Sequence, residues 1–311
     1  MSTLKVNNID AYSNNGQSAI TFKSSLIVGD DTGSQYPAEV YTGSLESRFS
    51  SVAMGESCKA KGKSSFAQGK FSNATGDRDF AHGYAAMAAS TPGALNIGAA
   101  HAEGFATIAT GEFSHAEGTG TQTTGSAAHA EGNSTRAAGN NSHAEGYLSV
   151  STGNNSHAEG YSTNAIGNSS HAEGRSTEAI GNYSHAEGLS TDAIGDYSHA
   201  EGYTTDAIGD YSHAEGNTTN AIGDYSHAEG WLTAASGAYS HAEGYATGAT
   251  GSYSHAEGRS TVAYGIASHA EGRDTTTTGN YSHAEGLSTT TTGDYSHAEG
   301  LSTTTTGDYS A

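Results

Sequence analysis

A chain of 311 residues with 43 glycines, two prolines and 34% apolar residues, many of them alanine, holds too few bulky side chains for a broad apolar core. Twelve basic against 33 acidic residues leave a net charge of −21, which argues against nucleic acid or an anionic membrane surface as a partner. The lone cysteine, Cys58, excludes an intrachain disulfide framework and reads as a small core filler, and no stretch approaches the roughly 20 apolar residues of a membrane-spanning helix.

The first residues, MSTLKVNNID, lack a basic region followed by an apolar run, so the chain is expected to be made in a cytoplasm and to leave it, if at all, by a route other than secretion. Residues 1–50 are non-repetitive. Within them SAITFKSSLIVGDD (18–31) reads as a strand running into a turn at Gly29-Asp30-Asp31, which makes 1–50 a small β-rich attachment region. Residues 51–311 form the repeat domain. It opens with Ala-x-Gly every seven residues, at Ala53 to Gly55, Ala60 to Gly62, Ala67 to Gly69, Ala74 to Gly76 and Ala81 to Gly83. The beat falters over about 84–103, where Pro92-Gly93 predicts an irregular loop. Phase is kept, since Gly83 and Gly104 are 21 residues apart and every seventh residue from Gly104 through Gly307 is glycine. From His101 onward His-Ala-Glu-Gly occurs fifteen times, always at an interval of fourteen.

A period of seven invites a coiled coil, but each interior glycine costs a helix about 1 kcal/mol relative to alanine and the large aliphatics of a coiled-coil seam are missing. Glycine at fixed spacing instead marks positive φ or close backbone approach, as in a stacked β-solenoid. Because SHAEG alternates with segments such as DAIG, the unit is fourteen residues, with two short strands per coil. At about 4.8 Å per coil, some eighteen coils would make a rod on the order of 85 Å long.

Residues two apart in a strand share a face, so the His and Glu of HAE point one way and the alanine between them the other. That alanine never varies, and its counterpart in the other strand is Ala, Ser or Thr (Ala165, Ala193, Ser151, Thr277), so only small residues fit inside. Methyl groups alone bury too little to offset the ordering of the chain, and the solenoid is expected to oligomerise.

The repeats supply their own comparison. The residue after the HAEG glycine drifts (Phe105, Thr119, Asn133, Tyr147, Arg175, Leu189, Trp231, Leu301) and should face water. His and Glu do not drift, which makes their face the expected subunit interface around a symmetry axis. It comprises His101, Glu103, His115, Glu117, His129, Glu131, His143, Glu145, His157, Glu159, His171, Glu173, His185, Glu187, His199, Glu201, His213, Glu215, His227, Glu229, His241, Glu243, His255, Glu257, His269, Glu271, His283, Glu285, His297 and Glu299. Tyrosines two residues before the histidine, from Tyr183 to Tyr309, would edge that interface.

Metal binding is the sharper rival for His-x-Glu. A metal site needs three or four ligands in a special geometry rather than a uniform ladder, and a ring of glutamates around an axis would already give each histidine a hydrogen-bond acceptor. No metal and no cofactor is therefore expected. No Ser-His-Asp set or isolated carboxylate pair stands apart from the repeat, and the serine before most histidines is a repeat residue rather than a nucleophile; an enzyme is not expected.

The alternation of NAIG (164–167) with SHAEG (170–174) resembles the head repeats of YadA-type trimeric adhesins, which also occur in bacteriophage fibres and appendages. The resemblance covers roughly Ala53 to Tyr309. It implies an all-β, left-handed parallel β-roll, a parallel homotrimer and a role in attachment to surfaces. Invariant SHAEG, and an N-terminus like that of a virion-docking fibre, point within the family to a phage tail fibre or spike. Its place is then the virion surface, with other virion proteins as partners through residues 1–50. Host glycans would be met by the outer row: Tyr147, Tyr161, Tyr203, Trp231 and Tyr245 offer stacking surfaces, and Arg175, Arg259 and Arg273 polar contacts. A capsid decoration, an architectural spacer or a bacterial adhesin head would share these features. The threonine runs 275–278, 289–292 and 303–306 raise an ice-binding face as a further alternative.

Overall fold

The computed structural model describes residues 9–14, 17–22, 51–90 and 98–310. Ile9–Asn14 and Gln17–Phe22 pair antiparallel, Asn14 opposite Gln17, which places a strand over the start of the segment expected to hold one. The remainder of the expected attachment region and the centre of the expected loop, 91–97, lie outside the described residues.

From Val52 the chain is an all-β parallel solenoid of about eighteen coils, each contributing one five-residue and one two-residue strand. It divides into two compact units, residues 1–141 with six coils and 142–311 with twelve. In each unit the strands of the coils pair in parallel with their counterparts one coil on, so that His185 lies beside His199 and Asp192 beside Asp206. Identical residues therefore form columns. The one change of step is at Phe80, which pairs with His101 across the inserted residues. The coil that enters the insertion stays regular through Met87–Ala88, and buried Asp79 ties its two sides together. The Asp79 carboxylate accepts from Gly76 N–H (2.6 Å), Ser90 N–H (3.0 Å), Ser90 Oγ–H (2.5 Å) and Ala100 N–H (2.9 Å).

Coil 185–198 shows the plan. His185 to Leu189 is the long strand, Asp192-Ala193 the short one, and Ala186, Thr191, Ala193 and Ser198 are buried between them. The alanine columns are the predicted ones. The threonine and serine columns are additional core that hydropathy does not reveal: Ser198 Oγ donates to the Gly195 carbonyl at 2.6 Å and Thr191 Oγ1 to the Glu187 carbonyl at 3.2 Å, whereas other threonines of the column, such as Thr177 and Thr205, are buried with no partner for the hydroxyl. Cys58 occupies the same column as the threonines and is buried, as expected of a filler.

The chain turns at two left-handed residues per coil, Ser190 (φ +57°) and Tyr197 (φ +59°), neither of them glycine. Their N–H groups donate to the preceding coil, at Arg175 O (2.9 Å) and Asn182 O (2.8 Å), which holds the conformation. Beside the second turn runs an Asn/Asp ladder, in which Asn182 N–H donates to Asp196 Oδ1 (2.8 Å) and Asp196 N–H to Asp210 Oδ1 (2.9 Å).

Candidate functional site

Histidine opens each long strand from His101 onward and glutamate stands third, so within each unit they form two adjacent columns on one outer face. The imidazoles stack with centroids 4.4–5.0 Å apart and planes within 12° of parallel. Spacing and angle follow from the backbone, since parallel strands in register repeat at about 4.8 Å. From His101 to His283 each Nε2 faces the carboxylate of its own coil, at 3.5 Å in His157 and Glu159 and 3.9 Å in His213 and Glu215, at or beyond the limit of a hydrogen bond. From His157 to His283, and at His101 and His115, Nε2 is covered from solvent yet has no hydrogen-bond partner, although about a third of each side chain is exposed.

Within one chain, the carboxylate of the same coil is not a hydrogen-bond acceptor for the imidazole from His157 to His283. Glu103, Glu117, Glu201, Glu229, Glu243, Glu271 and Glu285 hold their carboxylates 3.5–3.8 Å from the Nε2 of the histidine two residues before. The reason is geometric. Residues two apart on an extended strand lie about 7 Å apart along it, and a ring held flat against its neighbours cannot tilt to close the gap. Nor does the chain itself supply the burial expected of an interface. Glu103 and Glu299 are exposed, and Glu117, Glu131, Glu145, Glu201, Glu229, Glu243, Glu271 and Glu285 are partly exposed. Any cover on this face has to come from outside the single chain.

Burial, and then the neighbouring imidazoles, hold His101, His115, His171, His213, His227 and His269 below the ordinary histidine range; His199 shifts the same way through burial and His185. The column therefore favours neutral rings. Groups such as His157, Glu159 and His171 bring three ligand atoms within 4.8 Å of one another, and Glu173, Glu187, Glu215 and Glu257 stand in equivalent groups. Zinc bonds nitrogen at about 2.0–2.1 Å, so two ligands of one ion lie at most about 4.2 Å apart. Parallel rings at 4.8 Å, as in His199 and His213, exceed that span, and bridging two coils requires the rings to leave the stack.

Earlier coils carry other residues in these columns. Phe66 and Phe80 stand where later coils have histidine, stacked on one another at 5.0 Å, and Phe80 meets His101 edge-on at 4.5 Å. Gln68 and His82 occupy the glutamate column. A position that accepts phenylalanine in one coil and histidine in the next is a packing position. Sequence reasoning missed this because these coils lack the HAEG motif; the fourteen-residue phase was the signal that could have found it.

Serine before the histidine is on the other side of the wall. Ser184 is buried and donates to Gly181 O at 2.6 Å, turned away from its neighbour's imidazole. On the short-strand face, Glu178, Asp192 and Asp206 lie in register, with Asn164 Nδ2 donating to Glu178 Oε1 at 2.9 Å at one end. Burial, then Asp206 and Glu178, push the Asp192 carboxyl up to about 6. Beside this column, Ile166, Ile180, Ile194, Ile208 and Ile222 form an exposed apolar stripe along five consecutive coils.

The drifting row is exposed, as its variability predicts, but its rings do not all lie open. Tyr147 and Tyr161 stack on each other at 5.1 Å and 16°, and the Arg175 guanidinium lies 5.4 Å from the centroid of Tyr161. These tyrosines present edges and hydroxyls outward rather than free faces. Trp231 and Tyr245 meet at 89° with centroids 5.0 Å apart, and Arg259 stands 5.5 Å from the centroid of Tyr245. Arg273 is paired with Asp274 at 3.3 Å, and Tyr203 is half exposed. The tyrosine column from Tyr183 to Tyr253 is a continuous stack at 4.8–5.0 Å. In the threonine run 275–278, Thr275 and Thr277 point into the core, so an ice-binding face would keep only alternate threonines.

No protein-family model matches the chain, and no curated protein matches it significantly.

Proposed function

We propose that the chain is a structural fibre protein that self-associates into a parallel homotrimer through its histidine–glutamate face and projects from a phage particle to take part in attachment to host surfaces. The observation that carries this reading is the histidine–glutamate face from His157 to His283, whose residues repeat without change and whose side chains a single chain leaves about a third exposed. A half-exposed face that repeats at every coil can be covered by a neighbouring copy through one repeating contact. Phe66 and Phe80 in the same column fit a packed interface better than a solvated or ion-binding one.

A cyclic assembly of three copies needs two different faces per chain, and the isoleucine stripe on the short-strand side is a second surface suited to cover. A regular column architecture with drift confined to the outer row suits a spacer that displays side chains at fixed intervals. The phage assignment rests on the SHAEG/NAIG resemblance.

Antibody labelling of intact particles under the electron microscope tests the location. Label on a projecting tail appendage is expected. Label spread over the capsid would support a decoration protein instead, and particles that never carry the chain would overturn the virion assignment.

A further inference from the structure

Residues 142–311 contain 21 acidic residues and three basic ones, Arg175, Arg259 and Arg273. All three fall in one of the fourteen columns, the solvent-facing residue after the HAEG glycine. Two of them are preceded in that column by a pair of aromatic residues on the two coils before: Tyr147-Tyr161-Arg175 and Trp231-Tyr245-Arg259. The second triplet repeats the first 84 residues later, which is six coils, or about 29 Å along the column.

We infer that these triplets are two binding sites for a saccharide carrying isolated acidic groups, a carboxylate or a phosphate, the first meeting it with the phenol edges of Tyr147 and Tyr161 and with Arg175, the second with the open Trp231–Tyr245 corner and Arg259. The inference rests on the attachment reading and gives it a ligand class. Arg175 and Arg259 each lie beside a tyrosine ring, and neither forms an ion pair with a carboxylate among the described residues. A guanidinium so placed has donors left for a bidentate contact to a carboxylate or phosphate. The right angle between Trp231 and Tyr245 leaves an aromatic corner rather than a closed stack, and an aromatic face accepts the C–H face of a sugar ring while the phenol edge hydrogen-bonds its hydroxyls. The surrounding 21 carboxylates set the selectivity. They repel densely charged polyanions such as nucleic acid, whereas a single acidic group is drawn to the local arginine once remote charges are screened beyond about 8 Å at physiological salt.

Trp231 is the only tryptophan in the chain, so its emission reports this site alone. The full-length protein would be titrated with sialyllactose, glucose 6-phosphate, lactose and hexagalacturonate, with binding stoichiometry followed by calorimetry. A saturable change in emission is expected with sialyllactose or glucose 6-phosphate, and which of them acts identifies the acidic group. Binding should weaken about tenfold in Arg259→Gln, and Arg175→Gln should reduce the stoichiometry from two per chain to one with the Trp231 response intact. Lactose and hexagalacturonate should bind more weakly than the singly charged ligand. No response to either singly charged ligand, an equal response to lactose, or full binding by Arg259→Gln would overturn the assignment. Each result leaves the oligomeric state unchanged, so failure here is distinct from failure of the fibre reading.

Discussion

At Gly188 the backbone sits at φ +117°, and a β-carbon there would run into the carbonyl of Gly202 on the next coil. Gly300 has a similar φ of +107° with nothing within 4 Å. Gly188→Ala is therefore expected to cost about 3 kcal/mol or more, combining strain with displacement of a neighbouring backbone, and Gly300→Ala about 1 kcal/mol from strain alone; thermal unfolding of the two variants separates the terms. Thr205 is fully buried with a hydroxyl that has no hydrogen-bond partner. Thr205→Val keeps its shape and removes an unsatisfied group, so stability should hold or rise by about 1 kcal/mol in denaturant titration; a clear loss would mean that the hydroxyl is bonded. At Asp192 the raised carboxyl pKa means that the neutral form suits the folded state. Its contribution is complete below the unfolded value near 3.8 and is lost as pH rises through about 6. Asp192→Asn should raise stability at pH 8 by about 1 kcal/mol after allowance for solvent screening, with little gain at pH 4, when melting curves are compared at the two values.

At the scale of the strand, the same linkage runs in the opposite direction for the long-strand face. Imidazoles held below 6.5 favour the neutral ring when folded, so their contribution is complete above pH 6.5 and is lost as pH falls through the lowered values. Seven such histidines outnumber Asp192 and Asp206, whose carboxyl shift points the other way. The melting temperature should therefore drop on going from pH 7.5 to 5.5, and a flat profile would contradict the buried, neutral column. Much of this element was legible in the sequence. The invariance of Ala186 among fifteen repeats predicts its burial, and the drift in the row of Tyr203 predicts the exposure of that residue. The Thr191 and Ser198 columns were not legible, because a hydroxyl residue reads as surface on any hydropathy scale, whether its oxygen is bonded inside, as at Ser198, or left without a partner, as at Thr205. The glycine rows were legible, since Gly188 has the positive φ and close backbone approach that the spacing predicts, but the further positive-φ residues Ser190 and Tyr197 were not, because hydrogen bonds to the preceding coil that only the stacked structure supplies hold them there. The gap between Glu201 and the ring of His199 is likewise set by stacking, which spacing along the strand does not reveal. Coil register also fixes the Tyr147 and Tyr161 stack, hiding faces that composition alone suggests are free.

For the whole molecule, the central claim is that the histidine–glutamate face is covered by further copies of the same chain. Narrow coils filled with alanine, threonine and serine bury little apolar surface each, while the half-exposed histidine–glutamate face and the isoleucine stripe are both left on the outside of a single chain. Packing of three copies answers both features with one repeated contact. Light scattering on the purified chain at pH 8 tests this most directly. The account predicts the mass of three chains of 31.5 kDa each, persisting on dilution; the mass of a single chain would contradict it.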